Sequence, residues 1–284
     1  MAESVRPHAA HAPVVYKTFV PPRPFDAFIE NFWYWRGFDP GHAKDTVMAS
    51  GRLGLLINLD RDELLWFGGE RYAARNALSG IALCGTHTQS FAINAYQPHM
   101  MGVQFKPGGA FAFFGGSARE FADVHVSLAQ VWGADAQRLH QRVVQAPTPG
   151  DRIDILFRAF AARFNDATRH PAVEIALRRF ARSPHRVSVA TVAREAEVSP
   201  KTLIRLFGEE VGMTPKSYLR VARFQQVIAR VHAAPSVDWM EVVERHGYYD
   251  QPHFIREFKE FSGFTPSEYF RLRGPYLQHV PLEA

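Results

Sequence analysis

The sequence predicts an α+β protein: a small antiparallel β-barrel with flanking helices, followed by an all-α domain. Two observations support this fold class. Short apolar runs separated by Asp, Gly, Asn and Pro occupy residues 53–105, as in strands joined by tight turns. Beyond residue 171, apolar residues recur at helical spacing, and LIRLFGEEVGMTP at Leu203–Pro215 returns as FIREFKEFSGFTP at Phe254–Pro266.

The strand candidates lie in the first half of the chain. A dense aromatic segment, Glu30–Gly37, comes first, and five short apolar runs follow it. These runs are Leu53–Leu59, Glu63–Phe67, Gly80–Thr86, Gln89–Ala95 and His99–Phe105. Because each run has the length of one strand and turn residues separate them, they favour an antiparallel sheet or small barrel.

Two amphipathic helices are predicted after the barrel, over Ala134–Gln145 and Asp151–Phe164. In the second helix, apolar side chains from Ile153 to Phe164 recur at three- and four-residue steps and form one stripe. The stripe either packs on the barrel or mediates dimerisation. A polar segment ending in Pro171 follows, so we expect an N-terminal domain at 1–164, a linker at 165–170 and a C-terminal domain at 171–284.

Composition narrows the class of protein. The 284 residues carry a net charge of +5, and from Arg169 onward there are 17 lysines and arginines against 13 acidic residues. This basic excess suits an anionic partner of the C-terminal part. No apolar run reaches the length of a signal peptide or a membrane span, and the single cysteine, Cys84, rules out an internal disulfide framework. We therefore expect a cytoplasmic protein that does not contact a membrane.

The first copy of the repeated phrase has the pattern of a helix-turn-helix. Apolar residues from Val189 to Ala196 mark one face of a short helix, and Glu197–Val198 make a tight turn. Ser199 is then a good N-cap, and Pro200 suits the first position of a second helix. The second helix turns its apolar side chains inward and leaves polar and basic ones outside. In DNA-binding proteins, such a helix enters the major groove.

The second copy repeats this arrangement. Trp239 and Val242 face inward on a short helix, His246–Tyr249 make the turn, and Asp250 caps the second helix. Between the copies, Ser217–His232 form an amphipathic helix about 24 Å long, at about 1.5 Å per residue. Successive major-groove faces on one side of B-DNA repeat about every 34 Å. Two modules on one helical strut therefore suit two neighbouring segments of the groove.

At these residues the chain resembles the DNA-binding domain of the AraC/XylS family of bacterial transcription regulators. That family has two helix-turn-helix modules joined by a long helix. The resemblance extends from near Pro171 to near Arg273. Its motifs are Leu203–Phe207, Gly212–Pro215, Gly247–Tyr248, Asp250–Lys259 and Gly263–Pro266.

Three residues depart from the family pattern. Glu197 stands where the first turn usually carries glycine, and Val243 replaces a usual alanine. Pro252 removes a backbone donor early in the second recognition helix. We expect these departures to affect the register on DNA and not the fold.

The N-terminal half resembles the sensor domain of one subgroup of the same family, over about Phe25 to Trp132. The matching segments are ENFWYWRG, VMASGRLGLLINL, CGTHTQSFAINA and GVQFKPGGAFAFFG. The resemblance implies a small cupin-like barrel that binds an effector or a partner. Trp33, Trp35 and Trp66 are the predicted lining of an effector pocket, and an aromatic barrel core is the alternative for them.

Side chains on the two second helices are predicted to contact DNA. They are Lys201, Thr202, Ile204, Arg205, Gln251, His253, Ile255, Arg256 and Lys259. Arg205 and Arg256 suit a bidentate contact with guanine. The other polar residues contact bases or phosphates, or lie on solvated helix faces. For Ile204 and Ile255, a thymine methyl group and the module's own core are alternatives.

No metal or other cofactor is predicted. His87, His99 and His125 match no metal-ligand spacing, so each is expected to be hydrogen-bonded or exposed. Cys84 is interpreted as a buried small side chain, with a reactive thiol as the alternative.

These observations together predict a sequence-specific DNA-binding transcription regulator that is not an enzyme and responds to a small-molecule effector. The family resemblance further implies a homodimer that contacts RNA polymerase. A metal-dependent cupin-like enzyme with an accessory helical domain is one alternative, and it needs histidine and carboxylate ligands that converge in the barrel. A protein-binding module is the other, and the outward arginines on both second helices argue against it.

Overall fold

The computed structural model describes residues 14–37, 40–165 and 168–282. The chain is α+β, with antiparallel sheets in its first half and helices in its second, which confirms the predicted fold class. Positions 166–167 of the predicted linker lie outside the described residues, as do the two ends of the chain, 1–13 and 283–284. None of the helices within the described ranges is long and apolar enough to cross a membrane.

The strands of the described residues form two antiparallel sheets. They are β1 (Val15–Phe19), β2 (Ile29–Arg36), β3 (Lys44–Val47), β4 (Gly54–Asn58), β5 (Leu64–Gly68), β6 (Ala74–Leu78), β7 (Ile81–Cys84), β8 (Phe91–Asn94), β9 (His99–Phe105), β10 (His125–Ser127) and β11 (His279–Leu282). Sheet one has the order β1-β2-β9-β4-β7-β10, and sheet two has the order β11-β3-β8-β5-β6. The aromatic segment and the five apolar runs identified in the sequence each overlap one of these strands, although β2 begins one residue before its segment and β5 ends one residue after its run.

The last strand joins the C-terminal end of the chain to sheet two. β11 follows all the helices, yet it pairs antiparallel with β3, with Val280 opposite Thr46. Val280 is fully buried. The end of the chain therefore completes an edge of sheet two, which the local sequence did not predict.

The helices follow the predicted order. They are α1 (Phe111–Phe114), α2 (Leu128–Trp132), α3 (Ala134–Gln145), α4 (Pro149–Ala161), α5 (Pro171–Arg182), α6 (Val189–Glu195), α7 (Pro200–Val211), α8 (Pro215–His232), α9 (Trp239–Arg245), α10 (Gln251–Ser262) and α11 (Pro266–Leu272). The bounds of α3 agree with the prediction. Helix α4 begins earlier than predicted, because the Thr148 hydroxyl caps it and Pro149 fits its first position.

The first hydrophobic core lies between sheet one and helices α1–α4. Leu55 of β4 and Val103 of β9 are fully buried there with Phe160 of α4. Ile153 and Leu156, which begin the apolar stripe of α4, are buried in the same core. The stripe therefore packs on the sheet, which decides between the two alternatives for it.

Each helix-turn-helix module has its own core. Leu203 and Phe207 of α7 are fully buried in the first, and Phe254 and Phe258 of α10 are fully buried in the second. These are the anchors that the helical spacing predicted. Helix α8 belongs to both cores, and its Phe224 packs edge-on against Phe258 with ring centroids 5.3 Å apart. It is thus the strut between the modules.

Helices α7 and α10 begin and end in the same way. The Ser199 hydroxyl accepts a hydrogen bond from the backbone N–H of Thr202 at 3.1 Å, and the Asp250 carboxylate accepts one from His253 at 2.7 Å. At the other end, Gly212 and Gly263 take φ values of 87° and 83°. Such left-handed C-caps suit glycine because it has no Cβ to clash.

The two turns differ at one residue. Glu197 takes a φ of 54° at the position where the second module has Gly247, with a φ of 65°. A left-handed backbone costs a residue with a side chain roughly 1–2 kcal/mol. The departure from glycine at Glu197 therefore leaves the turn geometry intact at a cost in stability.

Candidate nucleic-acid interface

The predicted DNA-contacting residues lie on α7 and α10, and their side chains are either exposed or half-buried. Exposed side chains belong to Lys201, Ile204, Arg205, Gln251, Arg256 and Lys259, and half-buried ones to Thr202, His253 and Ile255. Both helices thus carry a basic outer face opposite an apolar inner face. Such a face can approach a groove of DNA without exposing the core.

The two arginines predicted to contact guanine have different surroundings. Arg205 is paired with Glu209 one turn later, at 2.8 Å, and both side chains are exposed. In the second module the corresponding acid, Glu260, is instead held by Arg220 at 2.6 Å. Arg256 is exposed and has no ion pair within the described part of the chain. An exposed pair one helical turn apart contributes only about 0.3–0.5 kcal/mol, so Arg205 can exchange Glu209 for DNA at little cost.

The three half-buried residues are partly engaged within the protein. The Thr202 hydroxyl lies 2.8 Å from that of the N-cap Ser199. Ile255 is half-buried and packs against the core of the second module, whereas Ile204 remains 42% exposed. His253 Nε2 lies 3.8 Å from the Glu257 carboxylate.

A buried acid that the sequence analysis did not single out holds α10 on α8. The Glu257 side chain is only 2% exposed, and its carboxylate accepts hydrogen bonds from Arg220 at 2.8 Å and Arg223 at 2.6 Å. Arg223 also lies over the Tyr248 ring, 4.0 Å from its centroid. The sequence could have indicated this pairing, because Glu257 occupies an inward position next to Phe258 and a buried acid needs a basic partner.

A groove with a basic rim separates the two modules. It has a volume of about 460 Å³ and is lined by Pro184, Lys216, Leu219, Arg220, Arg223, His253 and Glu257. Two of these residues, Arg220 and Arg223, are already paired with Glu257. Lys216 is therefore the lining cation best suited to a phosphate of bound DNA.

The turn of the second module contains an uncharged histidine. His246 is 7% exposed, and neither ring nitrogen has a hydrogen-bond partner within the described residues. Burial, reinforced by nearby His185 and by three arginines, lowers the pKa of His246 from 6.5 to about 4. The imidazole is thus neutral at pH 7, and protonation would place a charge inside the turn.

The N-terminal half contacts the recognition helix of the first module directly. The Arg119 guanidinium, on a 3₁₀ turn at Ala118–Phe121, donates to the backbone carbonyls of Ile204 and Arg205, each at 3.2 Å. The Thr86 hydroxyl donates to the Gly212 carbonyl at 3.4 Å. Helix α7 is therefore held at its middle and at its C-terminal end by the same part of the chain that was predicted to sense an effector.

The three histidines named in the sequence analysis differ from one another. His99 is hydrogen-bonded as expected, by the Tyr34 hydroxyl at 2.9 Å and by Asp60 at 3.1 Å. The expectation is wrong for His87 and His125, because the Nε2 atom of each is buried and has no hydrogen-bond partner among the described residues. Both lie beside Cys84, and one ligand atom from each of the three residues lies within 4.8 Å of the others.

The three tryptophans predicted to line an effector pocket pack on two different groups of side chains. Trp33 and Trp35 pack on a small cluster that contains Leu64 and Met100, and the Trp35 indole donates to the Gln97 carbonyl at 2.7 Å. Trp66 instead packs against His125, with ring centroids 4.6 Å apart. The first two tryptophans therefore pack on a mainly aliphatic cluster, and the effector pocket stays a prediction.

The geometry defines a class of protein: a double helix-turn-helix domain with a basic outer face on each second helix. Residues 192–272 match the family described as a helix-turn-helix domain. Residues 17–127 match a domain of unknown function, DUF6597.

Curated relatives match in the C-terminal part. The chain is 31% identical over 78 residues to the uncharacterized transcriptional regulatory protein YesN of Bacillus subtilis (strain 168). It is 29% identical over 90 residues to the XylDLEGF operon transcriptional activator 1 of Pseudomonas putida. The chain spans 21% and 27% of the length of these two relatives. Together with the fold, these matches confirm that the C-terminal part resembles the DNA-binding domain of AraC/XylS-family transcription regulators.

Two solved structures are also similar. One is the C-terminal domain of AraT, a response regulator from Geobacillus stearothermophilus, with 26% identity, a TM-score of 0.35 and coverage of 39% of this chain and 93% of that one. The other is ToxT from Vibrio cholerae strain SCE256 with a bound unsaturated fatty acid. It has 11% identity and a TM-score of 0.42, and the match covers 81% of this chain and 91% of that one.

Proposed function

We propose that the chain is a sequence-specific transcription regulator that binds double-stranded DNA with both helix-turn-helix modules. The observation that supports this most strongly is the pairing of α7 and α10 on one strut, each with an exposed arginine, Arg205 or Arg256, on its outer face. In this proposal, Arg205 and Arg256 contact guanine edges in two successive segments of the major groove.

The other predicted contacts supply affinity rather than sequence preference. Lys201 and Lys259 contact phosphates, and Gln251 and Ile204 lie at base edges. Thr202, His253 and Ile255 contribute less, because their side chains are half-buried and engaged within the protein. Phosphate contacts release counterions, so binding weakens steeply with salt.

The wider predictions extend this proposal. We infer a cytoplasmic homodimer that contacts RNA polymerase and has no enzymatic activity. Its N-terminal domain, at 1–164, receives an effector and changes how the domain at 171–284 sits on DNA. The contacts from Arg119 and Thr86 to α7 support such a connection, because they join the sensor half to a recognition helix.

Selection of bound sequences from a random DNA pool tests the proposal. The full chain, at near-physiological salt, is expected to enrich a motif with two blocks about one helical turn apart. Enrichment of one block would mean that one module contacts phosphates only. Repeated selection without any enrichment, with effector-containing cell extract added as well, would contradict the proposal.

A single substitution then tests the assignment of a base contact. Arg256→Ala is expected to weaken binding to the selected site by roughly 1–3 kcal/mol and to relax preference at one base position. Glu244→Ala, an exposed residue of α9, is the control. Unchanged affinity and base preference in Arg256→Ala would refute this contact.

A further inference from the structure

We propose that Cys84, His87 and His125 form a binding site for a thiophilic transition-metal ion, with Zn²⁺ the ion that fits the ligand set. One ligand atom from each residue lies within 4.8 Å of the other two. In a tetrahedral site with bonds of about 2.0–2.3 Å, such atoms lie about 3.4–3.6 Å apart. Small side-chain rotations therefore suffice to bring the three onto one ion.

The fold brings these residues together by strand pairing. Cys84 ends β7 and lies opposite His125, the first residue of β10, in the antiparallel register. His87 directly follows Gly85 and Thr86, and its ring lies against that of His125 at a tilt of 35°, with centroids 4.4 Å apart. Two ligands thus sit on paired strands and the third on an adjoining loop.

The imidazoles of His87 and His125 each have a nitrogen atom that can bind a cation. His87 is only 8% exposed, and the Nε2 atoms of His87 and His125 are buried without a hydrogen-bond partner in the described residues. Buried polar atoms normally have partners, so each unpartnered one needs an explanation. Burial lowers the pKa of His87 to about 4 and that of His125 to about 3, which keeps both rings neutral with a free lone pair.

The third ligand determines which ions fit. A thiolate and two imidazoles suit Zn²⁺ and Cu⁺, whereas Mg²⁺ and Ca²⁺ prefer oxygen ligands. Burial raises the pKa of Cys84 to about 12, so the free thiol is protonated. Binding replaces the S–H bond with a metal–sulfur bond, and the proton passes to solvent. Three protein ligands leave a fourth position for water or a small ligand.

The site lies directly behind the contact with the first recognition helix. Thr86, between two of the ligands, donates to the carbonyl of Gly212 at the end of α7. The backbone N–H of Thr86 donates a hydrogen bond to the Phe121 carbonyl, and its carbonyl accepts one from the Asp123 N–H. Both partners lie on the segment that carries Arg119. Closing Cys84, His87 and His125 onto an ion would shift this loop. We therefore infer that metal binding changes DNA affinity, a step that rests on the proposed function.

Metal binding is tested first, without DNA. Full-length protein stripped with a chelator is titrated with Co²⁺, whose thiolate charge-transfer absorption reports a Co–S bond. We expect an equimolar end point, loss of the band in Cys84→Ser and Cys84→Ala, and displacement of Co²⁺ by Zn²⁺. His125→Gln should weaken binding, and His99→Gln, a histidine already bonded to Tyr34 and Asp60, is the matched control. Circular dichroism checks that each variant is folded.

The outcomes separate the two claims. Absence of a thiolate band in the wild type, or an undiminished band in folded Cys84→Ser, overturns the metal site. A parallel titration with Cu⁺ shows whether Cu⁺ binds more tightly than Zn²⁺ at the same residues.

The regulatory claim has its own readout. DNA affinity for the selected site is measured with and without Zn²⁺, and a change of about 5–150-fold is expected in the wild type and none in Cys84→Ser. Equal affinity with and without Zn²⁺ overturns the regulatory step and leaves the metal site in place. Absence of DNA binding in every condition would refute the proposed function instead, whatever the Co²⁺ titration shows.

Discussion

Replacing Glu257 by glutamine should destabilise the second module, because this side chain joins α10 to α8. Its carboxylate is 2% exposed and is paired with both Arg220 and Arg223. Glu257→Gln keeps the size of the side chain but removes its charge, and the new NH₂ group points at a guanidinium. Breaking one side of a buried ion pair typically costs about 3–5 kcal/mol, since the remaining charge stays buried.

The expected magnitude is lower than that upper range. Arg223 is 14% exposed and loses its acid, whereas Arg220 is 33% exposed and keeps Glu260 at 2.6 Å. Solvent and Glu260 therefore compensate much of the loss at Arg220. We expect Glu257→Gln to lower the free energy of unfolding of the second module by about 2–4 kcal/mol.

Urea unfolding of the full chain, followed by the helical circular dichroism signal, measures this effect. Glu260→Gln is the matched control: it removes an exposed acid from the same Arg220 and should cost less than about 1 kcal/mol. Equal unfolding curves for the two variants would refute the reasoning that the buried pair, rather than net charge, holds α10 in place.

Three further predictions follow from other residues. Lys259→Ala should weaken binding to all DNA sequences by similar factors and reduce the salt slope by about one, as measured by anisotropy titrations at several salt concentrations; a sequence-dependent loss would contradict a phosphate contact. The pKa of His246 is about 4 in the folded state and about 6.5 in the unfolded chain. The free energy of unfolding should therefore be unaffected by His246 above pH 6.5 and fall by up to about 3 kcal/mol as the pH drops to 4, because the unfolded chain then binds the proton more tightly. His246→Gln should remove this part of the pH dependence of urea unfolding, and an unchanged slope would contradict it. Gly212→Ala should destabilise the chain by more than about 1 kcal/mol in thermal unfolding, because its φ is 87° and a Cβ would lie 2.8 Å from the Ala118 carbonyl oxygen; an unchanged melting temperature would contradict this reading of the cap.

Features that depend on neighbouring residues could be predicted from the sequence. The caps at Ser199 and Asp250 were predicted correctly because the serine or aspartate, the following proline and the apolar spacing all lie within one turn of helix. Strands such as β9 were predicted because alternating apolar runs are bounded by turn residues.

Features that depend on distant residues could not be predicted in this way. The grouping of Cys84 with His125 follows from the register of two paired strands, which local spacing does not reveal. β11 is a short strand containing Pro281, a residue that weakens any strand prediction, and it is stabilised by pairing with β3 far away in the chain. The contact of Arg119 with α7 is likewise a matter of tertiary packing.

The central claim is that each module reads its own segment of DNA, and selection with two variants tests it most directly. Arg205→Ala and Arg256→Ala are each put through the random-pool selection beside the wild-type chain. We expect the wild type to enrich two blocks, and each variant to lose base preference in one block, a different one for each variant. If both variants return the wild-type motif, or if both lose preference in the same block, the paired reading of DNA by α7 and α10 is wrong.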